Sequence, residues 1–496
     1  MNITMLLDMA ADGFGDRVVV GRRTDGLTAS ALRGAALRGA AMVRDAGAEA
    51  VVYLAVNGPA FPVAMFAAAY AGVPLVPLNF RLGSEQLDGL LSNHAGALAI
   101  ADPAAHTFLE KHLIRPLTPE AWLAETTRGT EVDSDSEQSA EPAVVIYTSG
   151  TTSAPKGVLL RHSNLTSYVF GTVEFGSAGA DDAALVSVPP YHIAAVANVI
   201  TNLFAGRRAI VLERFAPSEW LTMIRTEGVT NALVVPTMLA RIVDGPGDKS
   251  VPSLRSLAYG GAPMPSSVIR RALAMWPDLD FVNAYGLTET SSTVAVLTPD
   301  DHRRAFQSDD PYVRVRLSSV GRPVPGVEIE IRDQDNRVLA PGERGRICIR
   351  GEQVSAEYAG VGRLVDECGF FDTRDEGFLD EDDYLYIGGR RDDTIIRGAE
   401  NIAPAEIESV LHRHPAISDV AVVGVPDEEW GQRIVAVVVL REGHKATSEE
   451  LRDFVRGTLR SSKTPDEVRF WAELPRTETG KLVRRTVVSQ FGTERV

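Results

Sequence analysis

From Tyr147 to Leu160 the chain reads YTSGTTSAPKGVLL, with five hydroxyl residues and one glycine between Thr148 and Ser153, followed by Pro155-Lys156-Gly157. Glycine lets backbone N–H groups approach an anion, and short hydroxyl side chains add donors that can follow several phosphate oxygens. One lysine beside them completes a set suited to a polyphosphate. It is not a Walker loop, which needs Gly-Lys-Ser/Thr opening a helix. Here Pro155 precedes Lys156, Gly157 follows it, and VLL has the character of a strand. Taken alone, the stretch also fits a hydroxyl-rich surface turn. An apolar run, AVVIYT, leads into it, so the loop is expected at the edge of an α/β sheet.

Further short motifs follow in order: PPYH at 189–192, YGGAP at 259–263, YGLTET at 285–290, FDTRDEG at 371–377, GRRDD at 389–393, ENIAPAEIE at 400–408 and PRTETGK at 475–481. With the phosphate-type loop, these closely resemble the adenylate-forming superfamily of acyl-CoA synthetases, aryl-CoA ligases, adenylation domains and luciferases. The resemblance spans roughly residues 10–490, and it is most like a bacterial acyl-CoA synthetase.

The resemblance implies an AMP-forming ligase. A carboxylate attacks the α-phosphorus of ATP, pyrophosphate leaves, and the acyl-adenylate passes its acyl group to CoA. Such a transition state gathers negative charge, so cations and fixed donors are required. By resemblance, Thr148, Ser149, Gly150, Thr151, Thr152 and Lys156 hold the β- and γ-phosphates. Thr288 touches the α-phosphate, and Glu289 ligates Mg²⁺, a hard ion that prefers oxygen. Tyr285 and Gly286 lie along the adenine, while Gly260, Gly261 and Ala262 border base and substrate. Asp375 accepts the ribose hydroxyls. His192 sits near the acyl group as a gate. Lys481 bridges the substrate carboxylate and the α-phosphate, which aligns in-line attack. In the family the small domain pivots at the residue that Asp392 occupies, Arg390 switches contacts, and Gly398, Ala399 and Glu400 line the thiol channel.

These residues need elements to position them. VVYLAV at 51–56, AFPVAMFAAAYAG at 60–72 and VPLVPL at 73–78 read as strand, helix, strand. ALAIA, AVVIYT, RRAIVL and NALVVP add runs of strand length between helical segments. This alternation predicts a large α/β domain with mainly parallel sheets. After about residue 320, VEIEIRDQDNRVLAPGERGRICIRG (327–351) alternates as antiparallel strands, with Pro341-Gly342 as a turn. Beyond GRRDD, a helix at 404–414, two strands and a helix at 448–459 form an α+β unit of roughly 100 residues, large enough to fold alone. The fold class is therefore α/β: a large domain (1–390) of α/β subdomains plus a β-rich subdomain, then a small mobile α+β lid (391–496).

Composition narrows the partners. The chain of 496 residues carries 50 basic against 66 acidic residues, a net charge of −16. That disfavours nucleic acid and anionic membranes as partners. The only cysteines are Cys348 and Cys368, which fits a reducing compartment. The N-terminus lacks signal-peptide features, and proline and glycine interrupt the most apolar region, 51–78. A cytoplasmic monomer or homodimer acting on a small-molecule acid, ATP and CoA is expected.

Three positions depart from the family pattern. Ser153, Arg374 and Ala399 stand where glycine is usual; a φ above zero there would cost about 1 kcal/mol each. Val196, Asn198, Val235 and Met238 are candidates for an apolar acid-pocket wall. Two other readings remain at this level. One keeps adenylation but uses another substrate or acceptor: a carrier protein, an amine, or nitrite activated for N–N bond formation. The other is a regulatory nucleotide-binding protein without turnover, against which Lys481, Thr288 and Glu289 argue together.

Overall fold

The computed structural model describes residues 1–82, 84–112, 114–128, 142–148, 155–390, 393–397, 400–427, 430–459, 461–477 and 480–491. The first sheet of eight described strands is ordered Gly362–Arg363, Glu357–Tyr358, Lys156–Leu160, Val144–Thr148, Leu75–Pro77, Val51–Leu54, Leu98–Ala101, Arg115–Leu117. From Val144–Thr148 to Arg115–Leu117 it is parallel; from Lys156–Leu160 outward it is antiparallel. Parallel strands buried on both faces should be continuously apolar, and Val51–Leu54 is buried at every position. Helix Ala60–Ala71 is buried from Ala60 to Tyr70 and ends on Gly72 at φ 77°. The apolar stretch read as strand, helix, strand folds that way.

The second sheet has nine described strands, with Ala183–Val186, Asn231–Val234, Ser256–Gly260 and Asp280–Leu287 lying side by side and parallel. This arrangement assembles the site. PPYH, the Val235-Pro236-Thr237 segment, YGGAP and YGLTET each lie at the carboxyl end of one of these four neighbours. The motifs therefore share one rim of the sheet, where α/β folds place ligands. Phe61, Phe66, Val169 and Ile200 belong to the core that joins helices of both sheets.

Four antiparallel strands, Val327–Arg332, Gly345–Gly351, Phe371–Leu379 and Leu385–Arg390, make the β-rich part. The expected turn is present: Glu343 N–H donates to the Ala340 carbonyl at 3.1 Å, with Gly342 at φ 84° between them. The remaining unit holds a hairpin (Ile395–Arg397 with Glu400–Ile402) and a three-stranded sheet (Ile417–Asp427, Gly431–Leu440, Glu467–Phe470) covered by helices Pro404–Leu411, Ser448–Arg456 and Arg484–Ser489. Its apolar core is separate from those of the sheets before it.

The strands on either side of the hydroxyl-rich stretch are interior to the first sheet. The stretch joins two adjacent antiparallel strands at the carboxyl end of Val144–Thr148.

Candidate active site

Thr148 and Lys156 are cross-strand partners at the loop end of this hairpin, and Thr148 Oγ1 lies 3.5 Å from the Lys156 carbonyl. The loop between them is thus closed at its base by sheet pairing. Ser149, Gly150, Thr151, Thr152 and Ser153 lie outside the described residues, as do Asp392, Gly398 and Ala399.

The rim of the second sheet carries the other groups. Gly260 lies so close to the neighbouring strand that a Cβ would stand 2.3 Å from the Ala284 carbonyl oxygen. Gly261 has φ 80°, and its Cβ position is 3.8 Å from Val235. Ala262 follows, partly exposed. Tyr259 points away from the rim: its hydroxyl is 2.8 Å from His302 Nε2, and His302 Nδ1 is 2.8 Å from the Thr298 carbonyl. Because Nδ1 faces an acceptor, it carries the proton and Nε2 accepts from Tyr259. Burial pushes the pKa of His302 down to about 4, which keeps this buried anchor neutral.

Tyr285 ends at a bulge in its strand, between Tyr285 and Gly286. Its hydroxyl donates to Asp375 Oδ2 at 2.6 Å. Asp375 is only 5% exposed, and its N–H donates to Thr373 Oγ1 at 3.1 Å. The two residues expected at adenine and ribose therefore touch. Arg374, just before Asp375, has φ 63°, as a glycine would; its N–H is held by Asp372 Oδ1 at 2.8 Å. Asp375 is the sheet partner of Arg390, so the chain leaves the four-stranded sheet directly beside Asp375. Thr288 and Glu289 form a 3₁₀ turn after Leu287. Tyr358 donates its hydroxyl to Glu289 Oε1 at 2.8 Å.

His192 caps helix Ile193–Ala205, its Nδ1 accepting from Ala194 N–H at 3.2 Å. Burial first, and then the charge of Lys481, push its pKa down to about 4. The ring is therefore neutral near pH 7, with its proton on Nε2. The charge of Lys481 is thus felt at His192 across a long sequence separation. The turn carrying Lys481 approaches closely as well: a Cβ on Gly480, at φ 75°, would stand 2.5 Å from Thr237 Oγ1 and 3.4 Å from Val235. Val235 thus lies between Gly261 and Gly480. Val196 and Met238 are buried within cores. Asn198 is engaged inside its helix, donating to the Ala194 carbonyl at 2.7 Å.

The structure thus brings together His192, Val235, Gly261 and Lys481, and separately pairs Tyr285 with Asp375. Sequence reasoning missed Thr237 and Tyr358. Neither belongs to a motif, and only the fold places them here.

Two family models match the chain, that of the AMP-binding enzyme over residues 7–359 and that of the AMP-binding enzyme C-terminal domain over residues 406–481. The chain belongs to the AMP-binding enzyme family. It is an ATP-dependent, AMP-forming ligase. A feruloyl-CoA synthase from Amycolatopsis is 34% identical over 454 residues, covering 89% of each chain. A fatty acid–[acyl-carrier-protein] ligase from Streptomyces coeruleorubidus is 32% identical over 459 residues, covering 89% of this chain and 86% of that one. Among solved structures, o-succinylbenzoate CoA synthetase from Bacillus subtilis, in complex with ATP and magnesium ion, superposes with a TM-score of 0.82 at 26% identity, covering 97% of this chain and 98% of that one.

Among the described residues, no group of three His, Cys, Asp or Glu side chains could hold a metal ion. Mg²⁺ in a nucleotide site is usually held by one or two carboxylates together with phosphates and water. Glu289, with one oxygen fixed by Tyr358, suits that role. No described helix is long and apolar enough to cross a membrane.

Proposed function

We propose that this ligase binds MgATP between the hydroxyl-rich hairpin and the rim of the second sheet, activates a carboxylic acid as its adenylate, and passes the acyl group to the thiol of CoA. The observation that carries this reading is the approach of the Lys481 turn to Val235 and Thr237, with the charge of Lys481 felt at His192. It joins a cation from the far end of the chain to the rim that bears Thr288 and Gly261.

In the first step a carboxylate oxygen attacks the α-phosphorus and the bond to pyrophosphate breaks. Lys481 lies between the two anions, aligning them and screening their repulsion. Thr288 donates to the α-phosphate, and His192, with its proton on Nε2, donates to the acid. Lys156 and the hydroxyl loop hold the β- and γ-phosphates. Mg²⁺, ligated by Glu289, would neutralise phosphate charge. Asp375, oriented by Tyr285, accepts the ribose hydroxyls. In the second step the thiol loses its proton, sulfur attacks the acyl carbonyl, and AMP leaves.

The small domain begins at about residue 391 and turns on Asp392. Arg484 supports that division: it bonds Asp393 at 3.2 Å and Glu408 at 2.9 Å. The first described residue after the hinge is thereby tied into the small domain. Arg390 and Gly398 would act in the thiol-transfer pose. The enzyme works in the cytoplasm on small molecules.

A second reading retains adenylation and changes the acceptor or the activated oxyanion. The carrier-protein ligase relative favours it, as does Ala399 beside the presumed thiol channel. ATP–pyrophosphate exchange over aliphatic and aromatic acids and nitrite, followed by CoA or a carrier protein, separates the two. Exchange with a carboxylic acid and a CoA thioester is the expected result. Exchange with nitrite alone, or transfer to a carrier protein but not to CoA, would establish the second reading instead.

A further inference from the structure

The turn that carries Thr288 and Glu289 is built against backbone preference. Ser291 (φ 56°) and Ser292 (φ 114°) are successive non-glycine residues with positive φ, and such strain persists only where the surroundings over-determine it. Ser291 is fully buried, and its hydroxyl makes no hydrogen bond among the described residues. The fold-back is so tight that a Cβ on Gly286 would stand 1.8 Å from the Ser292 carbonyl oxygen.

One short segment grips this turn at several points. Gln353, 3% exposed, donates through Nε2 to the Thr290 carbonyl at 3.0 Å and the Thr293 carbonyl at 2.8 Å, one on each side of the strained pair. Ala356 N–H donates to the Glu289 carbonyl at 3.0 Å. Tyr358 then donates its hydroxyl to the Glu289 carboxylate. The same segment also grips the phosphate hairpin. Tyr358 pairs with Val158, Ala359 N–H donates to the Gly157 carbonyl at 2.8 Å, and Ser355 Oγ donates to the Leu159 carbonyl.

We propose that Gln353–Ala359 is the positioning element that sets the Glu289 carboxylate against the Lys156 hairpin, with the Tyr358 hydroxyl orienting that carboxylate for its metal ion. This rests on the reading of Glu289 as the Mg²⁺ ligand. Tyr358 and Gln353 are positioning residues, acting through the turn and not on substrate.

The test is a Mn²⁺ titration, read by electron paramagnetic resonance, of enzyme with α,β-methylene-ATP. Loss of an outer-shell partner typically weakens metal binding by roughly 10-fold or more. Tyr358→Phe should therefore raise the Mn²⁺ Kd by about 10-fold and the Mg²⁺ concentration for half-maximal exchange by a similar factor. The ATP KM at saturating Mg²⁺ and the melting temperature should stay unchanged. Gln353→Met should weaken Mn²⁺ in the same direction, and it carries the test if Tyr358→Phe does not fold. Glu289→Gln is the reference. If it leaves Mn²⁺ affinity unchanged, the ligand assignment fails and the positioning proposal with it. If it weakens Mn²⁺ while neither Tyr358→Phe nor Gln353→Met does, the positioning proposal alone is overturned.

Discussion

Glu289 and Lys481 are opposite charges of the proposed site, and the chain holds them in contrasting ways. The Glu289 turn is fixed in the large domain by bonds from Gln353, Ala356 and Tyr358, and it keeps two strained serines in place. The Lys481 turn is closed on itself. Thr477 N–H donates to the Lys481 carbonyl at 2.8 Å, Gly480 N–H to the Thr477 carbonyl at 2.8 Å, and Lys481 N–H to Thr477 Oγ1 at 3.1 Å. Arg476 braces it through Asp419 at 2.6 Å and the Gly480 carbonyl at 2.7 Å. All of these partners lie in the small domain. It approaches the large domain at Gly480, close to Thr237 and Val235. On the proposed two-pose reading, the group that stays with the nucleotide is built in place, and the group that would arrive and leave is shaped beforehand. That division is what a lid carrying Lys481 would require.

The largest effect should come from Lys481→Ala. Removing one fixed donor to developing charge typically costs about 10²–10³ in rate. Adenylate formation, followed as pyrophosphate release, should fall by that much, while thioester formation from supplied acyl-adenylate stays near the starting rate. Equal loss in both half-reactions would erase the contrast, since Lys481 would then be no more specific to one pose than Glu289.

Much of this arrangement is legible in the sequence, for a physical reason. Alternation from Val327 to Gly351 predicts the antiparallel pair and the Pro341-Gly342 turn because period and turn chemistry are local. Of the four rim strands only Asn231–Val234 is legible as an apolar run, NALVVP; the convergence of the motifs on one rim follows from the parallel order of the sheet and is visible only in the fold. Tyr358 is not legible. It lies in a strand of two residues, Glu357–Tyr358, too short for any period, and meets Glu289 across 69 positions. Thr237 escapes for a similar reason: its role depends on where Gly480 arrives. The strand Glu467–Phe470, which completes the small sheet, alternates polar and apolar but is only four residues long, too short for its period to set it apart.

A smaller effect should come from Gly480→Ala, which acts on delivery without touching the ammonium. The added methyl would meet Thr237 Oγ1 at 2.5 Å, and φ 75° already disfavours an L side chain. The left-handed penalty of about 1–2 kcal/mol, with the steric push added, should slow adenylation by roughly 10-fold. Thioester formation from supplied adenylate should be spared, because the contact belongs to the first pose. Pairing the change with Thr237→Ala should recover part of the loss by making room. No recovery in that double variant would mean that the approach to Thr237 does not limit closure.

The smallest effect tests strain on the fixed side of the comparison. Arg374 holds φ 63° immediately before Asp375, where an L residue is disfavoured by about 1–2 kcal/mol. Arg374→Gly removes that strain but enlarges the conformational freedom of the unfolded chain, an opposing term of about 0.4–1 kcal/mol. The balance is a gain of about 0.5 kcal/mol, readable as a higher urea midpoint at constant slope. The KM for ATP should hold, because Asp375 keeps its bonds to Tyr285 and Thr373. A lower midpoint would show that contacts of the arginine side chain outweigh the strain of its backbone, and that the nucleotide side of the site recruits Arg374 for more than it costs.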